Sequence, residues 1–139
     1  MRKLSVAVIL AVLCLFGGCG KSVIKDLPQD AVKIETASYV NPDNIDDGYN
    51  SFEYNGRTYV FYGTQCLTIK ENMFKECIGY TDGDTDVRLY SLNGTDSFIA
   101  QYNVDGIMEQ FVFYRDIGTA GTDIPIPCYI ESLDYDIWK

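Results

Sequence analysis

Three groups of side chains in this sequence are of types that could do chemistry: acids, thiols and phenols. Asp82, Asp84 and Asp86 stand at alternate positions across Gly83. Carboxylates at the first, third and fifth positions open a calcium loop, which also needs Gly at the sixth and a bidentate Glu at the twelfth. Val87 and Asn93 occupy those places. The pattern therefore reads more simply as an acidic hairpin turn, and no metal is expected. Asp43, Asp46 and Asp47 form a looser acidic group in a stretch rich in turn formers, read as a solvated loop.

Among the thiols, Cys66, Cys77 and Cys128 belong to the body of the chain. A Cys77–Cys128 bridge would tie the C-terminal segment to the strands and contribute about 4 kcal/mol by loop entropy. A Cys66–Cys77 bridge across a short helix is the alternative, and three buried, unbridged apolar thiols are the third arrangement. The chain contains no His, which removes Ser-His-Asp and Cys-His catalysis and the commonest metal ligand. Gly20-Lys21-Ser22 has the letters of a phosphate loop but no strand before it, so no cofactor is expected. Among the eleven tyrosines, Tyr54, Tyr59, Tyr90 and Tyr102 fall on expected strands. They either pack a core or form a binding face, where a phenol offers rigid area with a polar tip.

The elements that must position these groups fit one small domain, since 139 residues do not divide into two. At 47% hydrophobic and 14% aromatic residues the chain is too apolar to be disordered. A net charge of −9 argues against a nucleic-acid partner, which selects a basic surface. Asn55-Gly56, Asn93-Gly94 and Asp105-Gly106 each separate short β-rich runs, the strongest local hairpin signal. A first strand is expected over 31–40 and a short helix over 70–76. The tail from Ile130 is expected to pack Trp138 onto the sheet. The fold class is mainly β or α+β: a small antiparallel β-meander with one short helix, one face buried and one wet.

The N-terminus has its own organisation. Arg2 and Lys3 precede the apolar run Leu4 to Phe16, and Gly17-Gly18 leads into Cys19. Thirteen residues as a helix reach about 20 Å, short of a bilayer core. This is the layout of a secretory signal. It resembles a bacterial lipoprotein signal, whose lipobox ends in two small residues and a Cys, with Phe16 departing from the usual Leu, Val or Ile. The resemblance implies that residues 1–18 are removed and that Cys19 carries the lipid. Residues 19–30 would then be the anchor and tether, and residues 31–139 the folded domain. Removing Arg2 and Lys3 takes two of eleven basic residues and none of twenty acids, leaving −11.

The stretches Tyr54-Asn55-Gly56-Arg57-Thr58-Tyr59, Glu76-Cys77-Ile78-Gly79-Tyr80 and Val87-Arg88-Leu89-Tyr90-Ser91-Leu92 are similar to those in small envelope lipoproteins of anaerobic and enteric bacteria. That similarity implies an envelope location at the cell or outer membrane and a single domain, and no activity. The expected function is a lipid-anchored extracytoplasmic binding module with a protein partner, a basic one by charge, such as an immunity or inhibitor lipoprotein. A structural or assembly lipoprotein of the envelope is the alternative, and a small hydrolase the third reading.

Overall fold

The computed structural model describes residues 23–24, 26–81, 84–106 and 110–139. The signal segment 1–18, Cys19 and Asp82 lie outside them. Among the described residues nine strands form the fold: β1 Val32–Ile34, β2 Thr36–Asn41, β3 Asn44–Tyr54, β4 Arg57–Gln65, β5 Phe74–Thr81, β6 Asp84–Leu92, β7 Thr95–Asn103, β8 Val112–Asp116 and β9 Ile130–Ser132. The mainly β expectation holds, and no α-helix occurs among the described residues. The segment expected as a helix makes a single 3-10 turn, Glu71–Met73, and Phe74 then opens β5. Packing decides this: the Phe74 ring inserts between Tyr90 and Phe111, at 5.4 and 4.9 Å between centroids.

The Asn-Gly signals act as expected. Asn55 and Gly56 take φ of 50° and 73°, both in the left-handed region a two-residue hairpin demands. Asn93 also ties its turn to the preceding 3-10 segment, its amide donating to Asn72 O at 2.8 Å and Phe74 O at 3.1 Å.

The sheet is not a simple meander. Its order is β1-β5-β6-β7-β8-β4-β3-β2, so β1 and β2 sit at opposite ends of the path. Yet only Glu35 separates them in the chain, and the stretch expected as one strand thus pairs with β5 through its first half and with β3 through its second. The chain itself rolls the sheet into a barrel. Counting β1 and β2 as one, the ring has seven staves. A ring with an odd number of staves cannot alternate direction all the way round, so one neighbouring pair must be parallel. That pair is β1–β5, and every other ladder is antiparallel. Gly79 makes the joint possible: a Cβ there would lie 2.4 Å from the Val32 carbonyl oxygen.

Rolling also changes which faces are wet. The inner core is Ile34, Phe52, Tyr59, Ile78, Leu89, Ile99 and Tyr114, one residue from each stave. The outer face of β4 to β8 is buried as well, in a second core with Tyr62, Tyr90, Phe98 and Phe113. Its cover is the C-terminal segment, which contributes Tyr129, Ile130 and Trp138. The expectation of one wet face therefore fails over most of the barrel, because the tail lies across it. Trp138 does pack onto the sheet, its indole N–H donating to Phe61 O at 3.3 Å. β9 runs beside the end of β4 where Gly63 leaves room, since a Cβ there would meet Glu131 O at 2.1 Å.

Two buried arginines fasten the chain ends. Arg115 is 4% exposed and lies between the Tyr62 and Trp138 rings, 5.3 and 5.2 Å from their centroids. Its guanidinium also donates to the Thr119 hydroxyl and to the carbonyls of Thr119 and Thr122. Arg88 and the Tyr90 hydroxyl both donate to the carbonyl of Ile24, at 3.3 and 2.7 Å. The stretch expected as a free tether is thus pinned to the barrel at Val23 and Ile24, which pack against the outer core.

Candidate functional site

One part of the sheet lies largely outside both cores, touching the outer one through Tyr39 and Tyr49. From Ala37 to Asn50, β2 and β3 run beyond the barrel as a two-stranded arm with most residues exposed. The stretch read as an acidic loop is therefore strand on both sides of a tight turn at Pro42-Asp43. Side chains that bond their own backbone shape that turn. Asp43 N–H donates to Asn41 Oδ1 at 3.0 Å and Asp46 N–H to Asn44 Oδ1 at 3.3 Å. On one side β2 pairs with β3, and no strand lies along its other edge among the described residues.

The arm is rooted by aromatics. Tyr39 and Tyr49 stand opposite each other in the ladder, and the Tyr49 ring packs on Tyr135 of the C-terminal segment at 4.9 Å. The Tyr49 hydroxyl donates to Asp47, which also accepts from the Asn41 amide at 3.4 Å. Burial, and then the neighbouring carboxylate of Asp47, pushes the Tyr49 hydroxyl up to about 12. Asp47 is thus committed to structure, whereas Asp43 and Asp46 point into solvent. Between them Ile45 is 81% exposed, and Val40 on the adjacent strand is 48% exposed. No Lys or Arg occurs between Lys33 and Arg57. Among the described residues, no ion pair engages the acids of the tip. An apolar side chain held out among uncompensated carboxylates can seat in a pocket with a basic rim.

The tyrosines expected to share a binding face do not share one. Tyr54 and Tyr59 belong to the inner core and Tyr90 and Tyr102 to the outer, on opposite faces of the sheet. Tyr59 is buried, its hydroxyl donating to Asp96 O at 2.7 Å. Tyr90 is 0% exposed, and burial raises its hydroxyl pKa strongly. Tyr102 stacks on Phe111 at 4.4 Å. Tyr54 is half-buried at one end of the barrel, where it lines a cavity of about 220 Å³ with Arg57, Tyr59, Glu76 and Asp96. That cavity is smaller than the roughly 300–1,000 Å³ typical of small-molecule sites. The residues with the exposure sought, Ile45 and Val40, escaped the sequence reading. The available signal was an isolated aliphatic between Asn44 and Asp46 in an otherwise polar stretch.

The acids of the β5–β6 turn have local roles. Asp84 Oδ1 accepts from the Asp86 N–H at 2.9 Å, and Asp105 beside Asp86 raises its carboxyl pKa. Among the described residues no group of three or more potential ligands gathers around a metal position.

All three described cysteines are free thiols, as in the unbridged arrangement, but Cys66 and Cys128 are exposed and only Cys77 is partly buried. Cys77 lies in β5, half-buried, with its thiol directed at Gly79 O at 3.6 Å. Cys66 and Cys128 are both exposed and adjacent, the Cys66 thiol donating to Cys128 O at 3.4 Å. Comparisons with protein-family models, with curated proteins and with solved structures find no match to this chain.

Proposed function

We propose that this chain is a lipid-anchored, extracytoplasmic interaction module that grips a basic protein with its β2–β3 arm, in the manner of an immunity or inhibitor lipoprotein. The observation that carries the reading is the exposed Ile45 flanked by Asp43 and Asp46, at the tip of an arm that meets the outer core only through Tyr39 and Tyr49. Charge sets the encounter rate and the choice of partner, and the aliphatic anchor resists dissociation. The signal layout ending at Cys19 supports the anchor.

The test is capture from the host envelope, with the full chain in detergent as bait beside an Ile45→Ser/Asp43→Asn/Asp46→Asn variant. The expected result is one stoichiometric basic protein, held by the wild type, lost by the variant and released by salt. Several substoichiometric partners held equally by both baits would overturn the reading and leave the structural role in its place.

A further inference from the structure

The three thiols of the described chain are not equivalent. Cys66 follows β4 and Cys128 precedes β9, and these strands pair in the register Gln65↔Ile130. The ladder continues one step further, with the Cys66 N–H donating to Tyr129 O at 3.0 Å. A turn closed by Ile130 N–H on Pro127 O at 3.0 Å then sets Cys128 beside Cys66. The Cys66 sulfur lies against the Cys128 carbonyl, so the two residues are neighbours across the end of the ladder, the closeness a disulfide requires. Both residues are exposed and open to an oxidant.

We propose that Cys66 and Cys128 form a disulfide that fastens the C-terminal segment across the outer face of the barrel. The proposal rests on the extracytoplasmic reading for its oxidising surroundings. One thiolate attacks a sulfur of a disulfide-bearing oxidant, an oxidoreductase of that compartment, and expels a thiolate from it as the mixed disulfide forms. The second cysteine thiolate then displaces the remaining oxidant sulfur. Two thiols lose two electrons and two protons, and the oxidant leaves as its dithiol. Cys77 is excluded by position, and burial also raises its thiol pKa, which keeps it protonated and slow to exchange.

The experiment is to equilibrate the purified, reduced full chain with glutathione disulfide, then alkylate the remaining thiols and map peptides by mass. The expected result is a linked pair of peptides carrying Cys66 and Cys128, with Cys77 alkylated. The link should survive Cys77→Ser and vanish in Cys66→Ser, and oxidation should raise the melting temperature of the wild type and of Cys77→Ser but not of Cys66→Ser. Retention of all three as alkylated thiols, or a link that includes Cys77, overturns the pairing. Alkylating the chain in intact host cells tests the compartment separately. A linked pair there supports both statements. Free Cys66 and Cys128 there, with ready oxidation of the purified chain, would remove the compartment and leave the pairing intact.

Discussion

Strand β3 is two structures in succession. From Ser51 to Tyr54 it is a barrel stave, with Phe52 at 1% exposure between Tyr59 and Tyr114, whose centroids lie 5.7 and 4.9 Å away. From Asn44 to Asn50 the same strand is half of the arm, held by its ladder to β2 and by Tyr49. Backbone pairing and burial change together: Ser51 to Tyr54 pairs with β4, and at Ser51 and Phe52 with β2 as well, whereas Asn44 to Asn50 pairs with β2 alone. One half is fixed by a core and by strands on both edges, and the other carries mostly exposed side chains. Stability and the proposed recognition thereby fall at different ends of one strand.

That division can be broken by substitutions at its two ends. Phe52→Ala removes the central ring of the inner core and should cost about 3–5 kcal/mol in denaturant unfolding. A cost under 1 kcal/mol would mean that the barrel end is as loose as the arm. Gly79→Ala forces a Cβ against Val32 O and should cost about 1–3 kcal/mol as the β1–β5 joint shifts. Exchange protection should fall at that joint before it falls at β6–β7.

A smaller effect belongs to alkaline pH. The folded pKa of Tyr49 lies near 12, above an ordinary value of 10.0. Its stabilising contribution is therefore complete below pH 10 and lost as pH rises toward 12. Absorbance titration should show a component ionising toward pH 12 as the arm loosens, and Tyr49→Phe should remove it. Ile45→Ser should have the smallest effect on folding, within about 0.5 kcal/mol, while abolishing capture of the partner. Equal losses of stability from Ile45→Ser and Phe52→Ala would remove the distinction altogether.

The sequence disclosed the local part of this design. Asn55-Gly56 and Asn93-Gly94 mark their hairpins because the turn chemistry lies within the turn, and the runs around Tyr90 and Ile99 read as strands. The parallel β1–β5 joint has no such marker, being set by ring parity and by a close approach at Gly79. Only the second half of the arm was hidden, since β2 falls largely within the strand expected over 31–40. The packed face of β3 there carries Asp47 beside Tyr49, a polar and an aromatic residue that give no apolar alternation. The division of the tyrosines between two cores was hidden too. Alternation within a strand sorts its residues onto two faces, but only the register between strands says which face meets which core. The neighbourhood of Cys66 and Cys128 depends on β9, a strand of three residues that no periodicity could reveal.

The grip of Arg88 and Tyr90 on the Ile24 carbonyl fixes the length of a leash. With the lipid proposed at Cys19, five residue steps separate the anchor from the pinned carbonyl, a contour of at most about 18 Å. The β6 flank of the barrel then rides within that distance of the headgroups. At full extension this is roughly two Debye lengths at physiological salt, so repulsion of the acidic domain by anionic lipid would draw the leash out while leaving the domain too closely held to turn freely. A partner arriving at the membrane would meet the arm in a restricted set of orientations, and the entropy of aligning the domain would already have been lost when Ile24 docked.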